Sequence, residues 1–209
     1  MLPVVPLQVQ AQLTSSSRIL PLYNTGSSPP CPLGFAMNQN RLAVPTWSYA
    51  MEIYPPARII EIGTYNGGFT IAIGVHAHQI GARVVTYDVA KAPDARFSAI
   101  AEFLEIEFRT ANVWDVEAEI AQLIASPGVS YVLCDGGNKP RELSTFVRYL
   151  KPGDVIAAHD YMVAGSHNAW WGWGEIRIED GAAVAAAHDL EPWMQEHFDT
   201  AAWLTYRRR

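Results

Sequence analysis

The chain has 209 residues, and 49% of them are hydrophobic, which is enough for one buried core and excludes a disordered or fibrous protein. Its formal charge of −6 argues against a nucleic-acid-binding surface, because such surfaces need clustered Lys and Arg that release counterions from phosphates. Its two cysteines form no disulfide or zinc pattern, and neither a signal peptide nor an apolar run of roughly 20 residues is evident, so we expect a cytoplasmic protein without a membrane span.

We expect residues 1–33 to form a Pro-rich arm, and residues 34–209 to form a single folded domain. Six prolines between Pro3 and Pro32 prevent a long regular helix in the arm. Such an arm wraps a partner subunit, closes over a pocket or stays poorly ordered, and composition does not choose among the three. If the arm wraps a partner subunit, the protein is a homo-oligomer. The only basic cluster, Arg207–Arg209, is interpreted as a solvated tail.

After a predicted helix at Ala43–Ile53, short β-branched runs alternate with longer helical ones. This alternation is typical of parallel strands joined by crossover helices. The strands are predicted at about Arg58–Ile62, Arg83–Tyr87, Glu107–Thr110, Ser130–Cys134, Val155–Ala158 and Thr200–Tyr206, and the other helices at about Gly68–Ile80, Ala95–Leu104, Val116–Ala125, Pro140–Leu150 and Glu179–Ala187. The pattern predicts the α/β class: a Rossmann-like, doubly wound, mostly parallel sheet with helices on both faces.

The first predicted strand runs into a glycine-bearing turn, Glu61-Ile-Gly63-Thr-Tyr65-Asn-Gly-Gly68. Such glycines let the backbone approach a ligand, and the helix that follows points free N–H groups at it. The second strand ends at Asp88, whose carboxylate can accept hydrogen bonds from both hydroxyls of a ribose. Together these features indicate a nucleotide-like cofactor.

The turn does not suit a dinucleotide. The G-x-G-x-x-G pattern needs a second glycine where Tyr65 stands, and the tyrosine would obstruct a pyrophosphate. Glu61 is a poor neighbour for phosphates but a good one for a cationic sulfonium. The pattern E-x-G-x-x-x-G-G resembles motif I of class I methyltransferases, which use S-adenosyl-L-methionine (SAM).

Two further predicted strands end in Asp135 and in His159-Asp160. The carboxyl ends of neighbouring strands converge on one crevice, so we expect these side chains to face one another. They could bind Mg²⁺ or another divalent ion that orients an acceptor hydroxyl and lowers its pKa.

These segments, together with Gly34–Asn40 and Leu150–Gly153, resemble the group of macrocin O-methyltransferase, cephalosporin-biosynthesis methyltransferases and rhamnosyl O-methyltransferases, over about residues 34–165. The resemblance implies SAM as cofactor and a metal, Mg²⁺ or Mn²⁺, held by Asp135, His159 and Asp160. The cofactor-binding candidates are Glu61, Gly63, Thr64, Tyr65, Gly67, Asp88, Asn112, Val113 and Asp135, and the catalytic candidates are His159, Lys139 and Asn138.

Two positions depart from the pattern of this group. His159 replaces an acid, which favours Mn²⁺, Fe²⁺ or no metal over Mg²⁺. Asn138 stands where some relatives have a base, so Lys139 and His159 remain as candidates, and the ordinary pKa of histidine makes His159 the better one.

The Trp- and Gly-rich loop Trp170–Gly174 suits stacking on an acceptor ring, or packing against the sheet or a partner, and both interpretations stay open. His167 is a secondary catalytic candidate, and Glu175 is expected to be a packing or surface residue.

We therefore expect a SAM-dependent methyltransferase that modifies a hydroxyl on a small molecule, such as a sugar, a catechol-like compound or a natural-product scaffold. Nucleic acid and membrane are not expected partners. The alternatives are an NAD(P)-dependent oxidoreductase on a Rossmann fold and a non-catalytic, methyltransferase-like binding module.

Overall fold

The structure, a computed structural model, describes residues 35, 37–40, 42–93, 95–162 and 175–209. The predicted arm, His167 and the loop Trp170–Gly174 lie outside these ranges. In the described ranges the helices are α1 (Ala43–Ile53), α2 (Gly68–Ile80), α3 (Ala95–Phe103), α4 (Glu117–Ala125), α5 (Lys139–Phe146), α6 (Ile178–Ala187) and α7 (Gln195–Phe198). The strands are β1 (Arg58–Ile62), β2 (Arg83–Asp88), β3 (Ile106–Thr110), β4 (Ser130–Cys134), β5 (Val155–Ala158), β6 (Leu190–Pro192) and β7 (Leu204–Arg208).

The strands form one sheet in the order β3-β2-β1-β4-β5-β7-β6. The first five are parallel, and β7 runs antiparallel to both β5 and β6. This arrangement confirms the predicted α/β class and the mostly parallel, doubly wound sheet.

The register of the central strands places their following loops along one edge of the sheet. Ile62 of β1 pairs with Tyr87 of β2 and with Cys134 of β4, and Cys134 pairs with Ala158 of β5. The residues that come next in the chain therefore share this carboxyl edge, where open α/β sheets bind their ligands.

Helices cover both faces of the sheet, which explains why the central strands are mostly apolar. β1, β4 and β5 are buried at every position. One face packs an aromatic group in which the ring of Trp47 lies 5.4 Å from that of Trp203 and 4.5 Å from that of Phe198. The other face packs aliphatic residues of β1, β4 and β5 against Phe146.

The C-terminal part departs from the sequence prediction. The last strand was expected at Thr200–Tyr206, but Asp199–Ala201 forms a 3₁₀ turn and the strand begins at Leu204. Ala202 adopts a left-handed backbone (φ 60°), which ends the turn and shifts the strand towards the C-terminus. The short elements β6 and α7 were not predicted.

The basic cluster is not a solvated tail. Arg207 and Arg208 belong to β7, and Arg207 pairs with Glu191 on the neighbouring β6. Arg209 lies 3.6 Å from Asp189 and 3.5 Å from Glu191. These arginines therefore pair the last two strands of the sheet. Within the ranges above, no helix has the length and apolarity to cross a membrane.

Candidate active site

A cavity of about 650 Å³ opens at the carboxyl edge of the parallel strands. Its volume lies in the range of roughly 300–1,000 Å³ that is usual for small-molecule sites. Every parallel strand contributes a following loop to its wall, namely 63–66 after β1, 88–89 at the end of β2, 111–114 after β3, 135–139 after β4 and 159–160 after β5.

The turn after β1 requires glycine at two positions. Gly63 has φ 93°, and a Cβ built there would overlap the backbone carbonyl of Asp135. Gly67 has φ 76°, and its Cβ would overlap the ring of Phe97. The turn therefore packs directly on the loop after β4 and leads α2 into the cavity wall at Gly68.

Asp88 fixes the conformation of this turn. Its Oδ2 accepts hydrogen bonds from the backbone N–H groups of Thr64 (3.1 Å) and Tyr65 (2.8 Å), and its Oδ1 accepts one from Ala90 (2.8 Å). A carboxylate offers about four acceptor positions, so roughly one remains for a ligand hydroxyl. A second ribose hydroxyl would have to displace one of the loop N–H groups.

Glu61 lies behind the turn and does not line the cavity. Its Oε2 accepts hydrogen bonds from the hydroxyls of Thr70 on α2 and Thr86 on β2, each at 2.6 Å. Burial raises its pKa to about 8 despite these bonds, and the nearby Asp135 and Asp88 add to the shift. Glu61 thus connects β1, β2 and α2 beneath the loop.

A polar cluster forms where β4 and β5 end. Nδ1 of His159 lies 3.0 Å from Oδ1 of Asp135 and 3.3 Å from Oδ1 of Asp160. Asp160 has a left-handed backbone (φ 57°), a conformation that aspartate adopts more readily than most residues. The ligand atoms of these three side chains lie within 4.8 Å of one another, and in the described part of the chain no other His, Cys, Asp and Glu side chains form a group that could hold a metal ion.

Lys139 brings a positive charge into this cluster. Its Nζ lies 2.8 Å from Oδ2 of Asp160, 2.9 Å from Oε2 of Glu175 and 3.9 Å from Oδ1 of Asp135. Burial lowers the pKa of Lys139, but the hydrogen bonds to Asp160 and Glu175 outweigh burial, and the net direction is upward. These ion pairs stabilise the ammonium form of Lys139 and so disfavour it as a general base.

His159 is the other candidate for the general base. It is buried, and its ring centre lies 4.9 Å from that of Trp203. Burial lowers the pKa of His159, while Asp135 and Asp160 raise it, and the net shift is upward. The two carboxylates therefore favour the protonated ring by more than burial disfavours it.

No protein family model matches the sequence. The hybrid PKS-NRPS synthetase apdA of Emericella nidulans is 28% identical over 167 residues, which cover 70% of this chain and 4% of the synthetase. The chain thus spans a small part of the length of this relative.

Solved structures match over nearly the whole chain. An apo structure of CmcI has a TM-score of 0.59 at 15% identity and covers 90% of each chain, and CmcI with Mg and SAM has a TM-score of 0.58 at 15% identity, covering 90% of this chain and 89% of that one. An O-methyltransferase from Bacillus cereus in complex with SAH has a TM-score of 0.56 at 16% identity, covering 100% and 93%.

The chain has the class I methyltransferase fold. At identities of 15–16%, this similarity shows the fold and does not identify a substrate.

On this methyltransferase fold, most of the predicted cofactor-binding residues line the cavity. They are Gly63, Thr64, Tyr65, Asp88, Asn112, Val113 and Asp135. Glu61 and Gly67 lie outside the cavity lining, and their contacts stabilise the turn instead. The predicted metal ligands and all three catalytic candidates also line it.

Asn138 serves a local structural purpose at this edge of the methyltransferase fold. It is the N-cap of α5, and its side-chain oxygen accepts a hydrogen bond from the backbone N–H of Arg141 (3.1 Å). Glu142, one turn into the helix, accepts from the backbone N–H groups of Gly136 (3.1 Å) and Asn138 (3.0 Å). These bonds fix the loop that carries Asp135 and Lys139.

Sequence reasoning missed two residues of the cluster. Gln39 donates from Nε2 to Oδ2 of Asp135 (2.6 Å) and accepts at Oε1 from the indole N–H of Trp203 (3.1 Å). Glu175, expected to be a packing or surface residue, is an ion-pair partner of Lys139. Gln39 lies in the segment Gly34–Asn40 that carries part of the resemblance, but no local pattern connects either residue to Asp135 or Lys139.

Proposed function

We propose that this chain is a SAM-dependent methyltransferase that methylates a hydroxyl oxygen of a small molecule. The observation that carries the proposal is one continuous cavity that joins the glycine turn and Asp88 to the cluster of Asp135, His159 and Asp160. One part of this cavity suits a nucleoside, and the other suits a polar acceptor beside a base.

The nucleoside part is assigned to the loops after β1, β2 and β3. Asp88 accepts a ribose hydroxyl at its remaining acceptor position. Asn112, Val113 and Trp114 form the wall for the adenine. The indole of Trp114 packs against two neighbours: the guanidinium of Arg141 lies 3.9 Å from its ring centre, and the parallel ring of Phe146 lies at 6.2 Å. A rigid wall of this kind binds a planar base with little loss of side-chain entropy.

The bound sulfonium supplies an electrophilic methyl group. A lone pair of the acceptor oxygen forms the O–C bond while the C–S bond breaks. The electron pair of the broken C–S bond stays on the sulfur, which gives S-adenosylhomocysteine. His159 takes the hydroxyl proton as general base. Asp135 and Asp160 both face its Nδ1, so the neutral ring carries its own proton there and accepts the new one at Nε2. Positioning and proton removal account for the chemistry that the protein must provide.

Asp135, His159 and Asp160 are close enough together to hold a metal ion. Two carboxylates and an imidazole suit Mn²⁺ better than Mg²⁺, which prefers oxygen ligands. However, the Lys139 ammonium already lies against Asp160, and His159 is hydrogen-bonded at the atom that faces both carboxylates. The residues do not suit a metal while Lys139 keeps this place, so the reaction above is written without one.

Calorimetric titration with SAM and S-adenosylhomocysteine tests the cofactor, with Asp88→Asn as the site variant and Asp115→Asn as its matched control. Asp115 is exposed and lies outside the cavity lining. We expect micromolar binding that Asp88→Asn weakens at least about tenfold, or about 1.4 kcal/mol, and that Asp115→Asn leaves unchanged. Tighter binding of NAD(H), or equal affinities in the two variants, contradicts the proposal.

Methyl transfer is tested with isotopically labelled SAM and a panel of sugars, catechols and natural-product alcohols. Transfer to an oxygen supports the enzyme, and transfer to none of them, with intact SAM binding, favours the non-catalytic binding module.

A further inference from the structure

The cluster at the ends of β4 and β5 already contains a cation. Lys139 is the first residue of α5, and the Asn138 cap and Pro140 fix the backbone from which it projects. Its side chain is only 6% exposed, and a lysine is rarely so buried unless it is paired. Here its Nζ contacts Asp160 and Glu175 at hydrogen-bond distance, with Asp135 slightly farther away.

Among the described residues that line the cavity, Lys139 is the only lysine or arginine. It faces three carboxylates, those of Asp135, Asp160 and Glu175. Two of these, Asp135 and Asp160, belong to the group that could hold a metal ion. A metal bound there would share Asp160 with the ammonium and would repel it across a buried, weakly screened site.

We propose that the Lys139 ammonium is the resident cation of this cluster and acts in place of a divalent metal. The catalytic part of this proposal rests on the proposed methyl transfer. Asp160 and Glu175 take two of the three ammonium donors. The third donor binds the acceptor oxygen and stabilises the negative charge that develops there as the hydroxyl proton leaves for His159.

Metal binding can be measured on the protein alone, without SAM or an acceptor. The probe is Mn²⁺, followed by electron paramagnetic resonance of the free ion and by calorimetry. The main variant is Lys139→Gln, which removes the charge but keeps a hydrogen-bond donor for Asp160 or Glu175. Lys139→Arg keeps the charge, and Lys91→Gln is the matched control because Lys91 is exposed and lies outside the cavity lining.

We expect Lys139→Gln to bind Mn²⁺ at least about tenfold more tightly than the wild type, and Lys139→Arg and Lys91→Gln to match the wild type. Adding Asp160→Asn to Lys139→Gln should remove the gain, because the metal then loses a carboxylate ligand. EDTA should leave the methyl transfer of the wild type unchanged.

Equal Mn²⁺ affinity in the wild type and Lys139→Gln overturns the proposal. So does wild-type activity that EDTA abolishes and Mn²⁺ restores. Circular dichroism checks that each variant is folded. If Lys139→Gln does not fold, the wild type and Lys139→Arg decide: Mn²⁺ binding with a Kd below about 1 mM refutes a resident ammonium, and no binding up to about 1 mM supports it. A failure to bind SAM would remove the proposed function and leave the Mn²⁺ result readable.

Discussion

Gln39→Leu removes the side chain that joins Asp135 to Trp203 while keeping nearly the same volume. The wild-type amide donates to Asp135 at 2.6 Å and accepts from the Trp203 indole at 3.1 Å. A hydrogen bond to a charged group contributes about 1.5–3 kcal/mol, and a buried neutral one about 1 kcal/mol. Because Asp135 is 15% exposed, water replaces part of the first bond. We therefore expect a loss of about 2–3 kcal/mol, which for a chain of this size lowers Tm by roughly 4–12 °C.

Thermal and urea unfolding measure this loss, with Gln122→Leu as the matched control on the exposed side of α4. The control should change the free energy of unfolding by no more than about 0.5 kcal/mol. In labelled-SAM assays, Gln39→Leu should also lower kcat, because Asp135 is freed to rotate away from His159. A Tm within about 1 °C of the Gln122→Leu value would refute the reading of Gln39 as the connection between the two residues.

Three further predictions concern the turn, the buried acid and the base. Gly63→Ala should destabilise the protein by about 3 kcal/mol or more in urea unfolding, because of its φ of 93° and the overlap with Asp135, whereas Gly137→Ala, with no atom within 4 Å of its Cβ, should be nearly neutral. The pKa of Glu61 is raised in the folded state to about 8, so its contribution to stability is present at low pH and is lost as pH rises from about 4.5 to 8. In urea titrations the wild type should therefore lose at least about 1 kcal/mol more free energy of unfolding than Glu61→Gln over this pH range. Parallel stability curves for the two proteins would contradict the raised pKa. His159→Gln should lower kcat about 10²-fold or more and leave the Kd for SAM unchanged, and an unaltered kcat excludes it as the base.

The core of the fold was predictable because its strands are buried on both faces. β1, β4 and β5 are mostly apolar, apart from Arg58, Glu61 and Ser130, and their bounds were predicted as the structure has them. The C-terminal strands β6 and β7 were not predicted correctly. The apolar stretch Ala201–Leu204 resembles a strand, whereas the actual strand β7 continues into Arg207 and Arg208. Pairing with Glu191 on β6, a long-range contact, makes those arginines part of the sheet.

The residues of the site likewise include some that the sequence predicts and others that it does not. Asp88, Asp135 and His159 could be placed because the register of parallel strands brings their ends to one edge. Gln39 could not, because it contacts Asp135 from a segment far away in the chain. The motif correctly predicted that Glu61 lies on β1. It did not predict that hydrogen bonds from Thr70 and Thr86 hold the carboxylate away from the cavity.

The charges of the cluster connect the resident ammonium with the reaction. Asp135, Asp160 and Glu175 face one ammonium, so the site stays negative when His159 is neutral. A sulfonium that binds beside it is attracted, and an anionic acceptor is repelled. In the proposed reaction the sulfonium becomes a neutral thioether, so the attraction that would favour SAM is absent for the product. Without Lys139 the negative charge would be larger and would attract small cations more strongly, so the resident ammonium that we propose reduces competition between such cations and the sulfonium.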